Sequence, residues 1–257
     1  MSGKTKIAVW KFSSCDGCQL SLLNCEDELL AITEAIDIAY FPEATTAVMK
    51  GPYDVSLVEG AVTTPEEASR IQEIRKNSTI LITIGACATS GGIQALKNFK
   101  SAEDFINIIY AEPKYIETLD TATPISDHVK VDFQLYGCPI NKMQLVEAIS
   151  ALLNNRKANI SRDSVCRDCK LKGNTCVMVA QGLPCLGPVT NAGCDALCPS
   201  YNRGCYGCFG PKEKANTEAL SQRFKQLGLS NKELERLYHQ INANAPVFRD
   251  EGNKYAD

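Results

Sequence analysis

The distribution of cysteines constrains this chain more than any other feature of its sequence. The chain has 13 cysteines among 257 residues, and eight of them fall between Cys166 and Cys208. The surrounding stretch, residues 161–212, also holds seven of the 17 glycines and four of the 11 prolines. A segment this rich in glycine and proline cannot bury an aliphatic core, so it needs an inorganic one.

The rest of the composition is that of a soluble globular protein with room for one full-sized domain and a smaller unit. The formal net charge is −3, which gives no reason to expect nucleic-acid binding. No stretch approaches the roughly 18 apolar residues of a membrane helix, and residues 1–6 do not resemble an export signal. We therefore expect a reducing, cytoplasmic compartment, where cysteines indicate metal ligation or redox chemistry rather than disulfides.

The chain divides into three predicted regions: a flavodoxin-like domain at 1–158, a small cysteine-rich domain at 159–212 and a helical tail at 213–257. Short apolar runs in the first region predict strands at Ile7–Trp10, Ile36–Phe41, Val55–Glu59, Ile80–Ile84 and Val131–Tyr136. Helical patterns lie between them at Gln19–Ala31, Pro65–Lys76, Ser101–Ile109 and Asn141–Asn154. This alternation predicts an α/β fold with a doubly wound parallel sheet, covered by helices on both faces.

Four cysteines of the first region come directly after predicted strands. Cys15 and Cys18 follow the first strand, Cys87 follows the fourth, and Cys138 follows the fifth. The carboxyl ends of the strands in an open α/β sheet meet at one crevice, where ligands bind. Four thiols in one crevice suit a tetrahedral centre, either zinc or a 4Fe-4S cluster. Four unrelated core cysteines are the alternative, since free cysteine is often buried.

Glycines stand next to three of these cysteines, at Gly17, Gly85 and Gly137. Glycine lets the backbone approach a cluster closely and present its N–H groups to the sulfides. The remaining cysteine of this region, Cys25, lies in a predicted helix among leucines, so we assign it to packing.

The eight later cysteines form two sets of four. They read Cys166-x2-Cys169-x6-Cys176-x8-Cys185 and Cys194-x3-Cys198-x6-Cys205-x2-Cys208. Cys198 precedes Pro199, as the closing cysteine of bacterial ferredoxin motifs precedes a proline, which predicts a ferredoxin-like iron–sulfur domain. Two structural zinc sites, which also use C-x2-C pairs, are the alternative.

Together these blocks resemble the small subunits of nickel–iron hydrogenases, and among them the cytoplasmic delta subunits of the NAD(P)-linked sulfhydrogenase type. In the first region the matching motifs are Cys15-Asp16-Gly17-Cys18, Glu59-Gly60, Gly85-Ala86-Cys87 and Gly137-Cys138-Pro139. In the second they are Pro184-Cys185-Leu186-Gly187-Pro188-Val189-Thr190, Gly193-Cys194, Leu197-Cys198-Pro199 and Gly204-Cys205-Tyr206-Gly207-Cys208-Phe209-Gly210-Pro211. The resemblance spans almost the whole chain, and twelve cysteines in this order with these flanks are specific.

The resemblance implies three 4Fe-4S clusters. The proximal cluster would be held by Cys15, Cys18, Cys87 and Cys138. A sequential partition assigns Cys166, Cys169, Cys176 and Cys185 to the distal cluster, and Cys194, Cys198, Cys205 and Cys208 to the medial cluster. An exchange of Cys185 or Cys198 stays open, because two-cluster ferredoxins exchange one ligand between motifs.

Two departures from relatives refine the expectation. Exported family members replace one distal cysteine with histidine and lack one medial cysteine. This chain has cysteine throughout, and neither His128 nor His239 lies near a motif, which favours three 4Fe-4S clusters without a 3Fe-4S centre. The related respiratory quinone-reductase subunit has two adjacent cysteines where this chain has Cys15 and Cys18, so that function fits less well.

Glu59 occupies the family's Glu-Gly position at the end of the third predicted strand. The resemblance suggests a contact with the large subunit or a place on a proton path. A solvated or helix-capping carboxylate is the alternative, because perturbed carboxylates mark functional sites only statistically.

The family places the nickel–iron centre in a separate large subunit, and no ligands for nickel remain in this chain. The chain is therefore expected to carry electrons from that subunit to a diaphorase that reduces NAD(P), with a flavin subunit and an iron–sulfur subunit, in a heterotetramer or larger complex. The sequence has no G-x-G-x-x-G fingerprint or P-loop, so nicotinamide is expected to bind elsewhere. The alternatives are an electron-transfer subunit serving a deazaflavin or a heterodisulfide reductase, and a zinc-bound structural subunit.

The tail contains a capping box that begins at Ser230 and precedes a predicted amphipathic helix. Leu234, Leu237 and Ile241 share one face of that helix. The face is expected to pack on this chain or on a partner.

Overall fold

Five parallel strands form the central sheet of the computed structural model, which describes residues 4–25 and 36–256. The strands are β1 Thr5–Lys11, β2 Ile36–Tyr40, β3 Tyr53–Glu59, β4 Ser78–Ile84 and β5 Phe133–Leu135. Their order is β2-β1-β3-β4-β5. This is the flavodoxin-like order, with a ligand crevice at the switch point between β1 and β3. The predicted flavodoxin-like doubly wound sheet is confirmed.

Helices cover both faces of the sheet. The helices are α1 Gly17–Leu23, α2 Pro65–Lys76, α3 Gly85–Ser90, α4 Ala102–Ile109, α5 Lys142–Leu153, α6 Val165–Leu171, α7 Val177–Ala180, α8 Leu197–Ser200, α9 Thr217–Gln226, α10 Asn231–Tyr238 and α11 Pro246–Asn253. One core contains Leu57 and Ile82 and is covered by α1 and α5. The other contains Val58 and Leu81 and is covered by α2. Among the described residues, no helix is long and apolar enough to cross a membrane.

Local capping determines where several helices begin. Thr64 accepts a 3.2 Å bond from the Glu67 amide, and the Glu67 carboxylate accepts a 3.3 Å bond from the Thr64 amide. Ser101 and Asn141 cap α4 and α5 through their side chains. These contacts satisfy backbone donors that a helix leaves free at its start. The predicted helices that begin at these residues are present.

The first helix differs from its prediction. It runs from Gly17 to Leu23 rather than from Gln19 to Ala31, and residues 26–31 of that prediction lie outside the described residues. Its start precedes the predicted one because the Asp16 carbonyl already accepts a helical bond from the Leu20 amide.

The fifth strand is shorter than predicted, and both ends have a physical reason. It spans Phe133–Leu135 instead of reaching Val131 and Tyr136. At its start, the Asp132 carboxylate accepts a 2.9 Å bond from the Leu81 amide, so a side chain takes the place of a backbone partner. After its end, the chain turns at Gly137, whose φ is +136°.

The tail packs against the cysteine-rich region. Phe224 and Leu234 of the tail share one buried cluster with Leu186 and Val189 of residues 159–212. The apolar face of α10 therefore packs on this chain. Ile241, predicted to lie on that face, comes after the helix, which ends at Tyr238. The boundary near residue 212 stays a prediction.

Candidate metal centres

The first group of thiols lies at the carboxyl edge of the sheet. Cys15 precedes α1, Cys18 lies in its first turn, Cys87 lies in α3 directly after β4, and Cys138 follows β5. Burial raises the pKa of Cys87 to about 11, and the nearby Cys138 and Cys15 thiols contribute to the rise. Burial also raises the pKa of Cys18, together with Glu59 and the Cys87 and Cys138 thiols. The four predicted cysteines are thus neighbours, and we call them the strand-end thiols.

The electrostatics of these thiols fit a metal centre. Burial and mutual repulsion raise the pKa of Cys18, Cys87 and Cys138, so these three thiols do not ionise together near neutral pH without a cation. A bound metal supplies that positive charge and keeps its coordinating thiols deprotonated.

Glycines leave room for the sulfur atoms. Gly85 has a φ of +85°, and an added Cβ there would collide with Cys18 Sγ. Gly92 has a φ of +62°, and its added Cβ would lie 2.5 Å from Cys87 Sγ. Gly17 is under no such constraint, since the nearest atom to its added Cβ would be at an ordinary 3.5 Å. Sequence reasoning identified Gly85 but missed Gly92, which the Gly-Gly pair just after Cys87 could have signalled.

Glu59 ends β3 and lies against the strand-end thiols. Its side chain is only 2% exposed, and Oε1 accepts a 3.1 Å bond from the Cys18 amide. Its Oε2 has no hydrogen-bond partner within the described part of the chain. Burial raises the pKa of Glu59 above its ordinary value. The structure therefore brings the predicted carboxylate into the same crevice.

The second group of thiols is built from two short helices and a turn. Cys166 and Cys169 lie in α6, Cys176 caps α7, and Cys185 precedes a turn that begins at Gly187. Burial raises the pKa of Cys166 to about 11, with the Cys185, Cys169 and Cys176 thiols adding to the rise. An added Cβ at Gly187 would lie 3.3 Å from Cys185 Sγ and 3.5 Å from Cys166 Sγ. We call these four the outer thiols.

The third group surrounds a cavity of about 210 Å³ that Cys138 also lines. Its members, the middle thiols, are Cys194, Cys198, Cys205 and Cys208. Burial raises the pKa of Cys208 to about 12, and the Cys194, Cys138 and Cys198 thiols contribute. Cys198 neighbours Cys194, whereas Cys185 neighbours Cys176 and Cys169. Because Cys205 also lies against Cys185, the sequential partition stays a prediction and an exchange of Cys185 or Cys198 stays open.

The middle thiols lie between the other two groups. On one side, Cys208 neighbours Cys138 of the strand-end thiols. On the other, the Cys205 amide donates a 3.2 Å bond to Cys185 Sγ of the outer thiols. The spatial succession is therefore strand-end, middle and outer, which differs from the order along the sequence.

A single metal ion and a 4Fe-4S cluster require different spacings between the four thiols that hold them. Within residues 4–25 and 36–256, no three His, Cys, Asp or Glu side chains are arranged to hold one metal ion. Zinc binds four thiolates at about 2.3 Å from one centre, whereas a 4Fe-4S cluster distributes them over its irons.

The cysteine and histidines left out of the site have other contacts. Cys25 is buried in the sheet core, and its Sγ donates a 3.2 Å bond to the Ser21 carbonyl. His128 Nε2 lies 2.7 Å from Thr123 Oγ1. The ring of His239 stacks on Phe99. These contacts agree with a structural role for all three.

A flavodoxin-like sheet with four thiols at its carboxyl edge, followed by two further thiol groups, defines the class of the nickel–iron hydrogenase small subunits. The family described as NADH ubiquinone oxidoreductase, 20 kDa subunit, matches residues 15–152, and the chain belongs to that family.

Individual relatives are hydrogenase subunits. The chain is 34% identical to the sulfhydrogenase 2 subunit delta of Pyrococcus furiosus over 90% of this chain and 96% of that protein. It is 33% identical to a vhu subunit of the F420-non-reducing hydrogenase of Methanocaldococcus jannaschii over 82% of this chain and 83% of that protein. A crystal structure of an NAD+-reducing [NiFe]-hydrogenase contains a similar chain, with a TM-score of 0.57 and 26% identity over 62% of this chain and 96% of that one. The resemblance to a hydrogenase small subunit, part of an oxidoreductase complex, is confirmed.

Proposed function

We propose that this chain is the electron-transferring subunit of a nickel–iron hydrogenase and holds three 4Fe-4S clusters. The strand-end thiols would hold the proximal cluster, the middle thiols the medial cluster and the outer thiols the distal cluster. A 4Fe-4S cluster supplies a one-electron redox centre. The observation that carries the proposal is the unbroken succession of the three thiol groups, in which Cys138 neighbours Cys208 and Cys205 contacts Cys185.

The chain's own contribution is to exclude water and to direct hydrogen-bond donors at the sulfur atoms. The Cys205 amide donates to Cys185 Sγ at 3.2 Å, and the Gly207 amide donates to Cys205 Sγ at 3.4 Å. Donors aimed at thiolate sulfur stabilise the more negative state and so help to set the potential. Residues 161–212 contain six Lys and Arg against three Asp. This excess of positive charge would offset part of the negative charge of the clusters and their thiolates.

The strand-end thiols would face the large subunit that carries the nickel–iron centre. Cys15 and Cys138 are exposed at this edge of the chain, and Leu20 beside them is 55% exposed. An apolar side chain next to exposed thiols fits burial against another subunit. We propose that Glu59, whose buried carboxylate accepts a bond from the Cys18 amide, serves this contact or a proton path.

At the other end, we propose that electrons leave through the outer thiols to a diaphorase module, with a flavin subunit and an iron–sulfur subunit, that reduces NAD(P). The similarity to an NAD+-reducing hydrogenase supports this acceptor. We propose that the complex is a cytoplasmic heterotetramer or a larger assembly.

A different acceptor, such as a deazaflavin or a heterodisulfide reductase, is the second candidate. Because F420 is itself a deazaflavin, the 33% identity to a protein named for an F420-non-reducing hydrogenase favours a heterodisulfide reductase or another acceptor that is not a deazaflavin. That likeness extends over 82% of the chain, against 62% for the NAD+-reducing structure. Identification of the subunits that co-purify with the chain decides between the two acceptors.

The cluster content is tested by elemental analysis of the anaerobically purified chain. We expect about twelve iron and twelve acid-labile sulfide per chain, because each 4Fe-4S cluster uses four cysteines. Zinc in place of iron would overturn the proposal in favour of a structural subunit. The isolated chain should not reduce dyes with hydrogen, whereas the complex with its large subunit should.

A further inference from the structure

One side chain of the cysteine-free tail touches the elements that carry two different thiol groups. Asn242, which follows α10, is only 3% exposed. Its Nδ2 donates to the carbonyl oxygens of Gly207 at 2.9 Å and Cys208 at 3.1 Å. Its Oδ1 accepts a 2.7 Å bond from Ser90 Oγ, although the two residues are 152 positions apart. Ser90 ends α3, the helix that contains Cys87.

The hydrogen bonds leave the Asn242 amide one orientation. Both Nδ2 hydrogens are used by the Gly207 and Cys208 carbonyls, so Oδ1 must face Ser90. The Ser90 hydroxyl has one hydrogen. That hydrogen therefore points to Asn242 Oδ1, although the Ala86 carbonyl oxygen also lies 2.9 Å from Ser90 Oγ. A buried amide satisfied on every side holds its partners in fixed relative positions.

Packing from the tail closes the same turn on its other side. Gly207 has a φ of +76°, and an added Cβ there would lie 3.2 Å from Cε2 of Phe248. The Gly207–Cys208 turn is thus held between Phe248 and Asn242, both of which belong to the tail. The ring of His239 stacks on Phe99 at 4.0 Å, which holds the tail against the segment that follows α3.

We propose that Asn242 is a positioning residue that fixes the turn carrying Cys208 relative to the helix carrying Cys87. It thereby sets the separation of the middle thiols from the strand-end thiols. The inference rests on the proposed function, in which these groups hold the medial and proximal clusters. Because electron tunnelling falls off exponentially with separation, loosening this link slows transfer between the two clusters without removing a ligand of either.

The test uses the assembled hydrogenase complex and three variants of this chain. Asn242→Ala removes all three hydrogen bonds, and Ser90→Ala removes only the one to α3. Leu234→Ala is the matched control, because Leu234 is fully buried in the tail cluster. It destabilises the tail without touching the link. For each variant we measure iron and sulfide content, the magnetic splitting between proximal and medial clusters in EPR spectra, and the rate at which hydrogen reduces the medial cluster in freeze-quench experiments.

We expect Asn242→Ala and Ser90→Ala to keep full iron and sulfide content, to lose the wild-type splitting and to reduce the medial cluster more slowly. Leu234→Ala should keep the wild-type splitting despite its lower stability. Wild-type splitting and rate in a fully loaded Ser90→Ala or Asn242→Ala complex would overturn the inference, and so would an equal loss in Leu234→Ala. A wild-type complex without 4Fe-4S signals would overturn the proposed function itself.

Discussion

The strand-end thiols are held in place by different means from the middle and outer thiols. In the sheet region, fully buried side chains such as Leu57 and Ile82 fix the strands from which the thiols extend. In residues 161–212, the buried cluster that this region forms without the tail consists of Val165, Val177, Cys185, Ala196 and Cys205, so two of its five members are themselves cysteines. The strand-end thiols thus extend from an apolar core, whereas the cysteines of residues 161–212 themselves supply much of the core of their region.

This difference has a consequence for folding. A crevice supported by a parallel sheet can exist before any metal arrives, because hydrophobic burial stabilises the sheet. The cysteine-rich region would instead gain its order from the proposed ligation and from the tail, which packs Phe224 and Leu234 against Leu186 and Val189. We therefore expect the sheet region and the cysteine-rich region to respond unequally to removal of the metal.

The largest expected effect is that of removing the metal. Oxidation and chelation of the purified chain should make residues 161–212 susceptible to protease, because this region loses the bonds that order it. The sheet region should keep its slow amide exchange. Hydrogen–deuterium exchange with mass spectrometry measures both at once. Equal protection of the two regions after metal removal would show that the cysteine-rich region does not depend on ligation for its order.

Replacing one thiol in each region separates their roles in the assembled complex. Cys18→Ser should abolish hydrogen-dependent reduction of natural and artificial acceptors alike, because it disrupts the proposed first cluster beside the large subunit. Cys208→Ser should retain hydrogen–deuterium exchange at the nickel site while NAD(P) reduction falls sharply.

Both activities are assayed after subunit content has been checked by gel, so that failed assembly is not read as failed transfer. Wild-type NAD(P) reduction by Cys208→Ser, or fast dye reduction by Cys18→Ser, would show that the order of the thiol groups along the path is wrong.

Truncating one buried side chain in the sheet region and one in the tail tests how the stability of each depends on the metal. Leu57→Ala should destabilise the sheet region by about 2–5 kcal/mol, and Phe224→Ala should destabilise the loaded protein by about 3–5 kcal/mol. In metal-free protein the cost of Phe224→Ala should be smaller, because Leu186 and Val189 of its buried cluster belong to the region that loses its order. Urea unfolding of both forms measures these costs. A full cost of Phe224→Ala without metal would contradict the dependence of the tail on the cysteine-rich region. Val48 is exposed, so Val48→Ala should change the free energy of unfolding by close to zero and serves as the control.

The smallest expected effect is confined to the sheet region and concerns Asp132. Its Oδ2 lies 2.6 Å from Arg75 Nη1 and accepts a 2.9 Å bond from the Leu81 amide. Although partial burial acts to raise the pKa of Asp132, these two partners lower it below the ordinary value. Asp132→Asn should therefore cost about 1 kcal/mol at pH 7.

The sign of the pH dependence follows from the lowered pKa. The contribution of ionised Asp132 to the free energy of unfolding is fully present above the unfolded-state pKa of about 4. It is lost as pH falls through the lower folded-state pKa. Urea midpoints of wild type and Asp132→Asn should therefore converge toward pH 3. The exposed pair Glu73–Lys76 offers the control, since Glu73→Gln should change stability by no more than a few tenths of a kcal/mol.

Much of the fold and of the candidate site could be predicted because the signals are local in the sequence. Ser230 precedes a glutamate by three residues and forms the expected capping box, and Thr64 forms a second one with Glu67. Strands of near-continuous apolar residues require burial on both faces, which only a parallel sheet between helices provides. The cysteines that follow strand ends had to meet at one edge, because parallel strands share their carboxyl edge.

From the sequence alone one could predict a grouping of the thiols and the kind of sheet that presents the first group. Only the tertiary structure decided that the middle thiols, last in sequence, lie between the other two groups, and that Asn242 joins Ser90 to the Gly207–Cys208 turn. It also decided that Gly92 has to be glycine and that β5 is short. Contacts between residues far apart along the chain depend on how whole elements pack, and a residue's type and its sequence neighbours do not specify the distant group that it will meet.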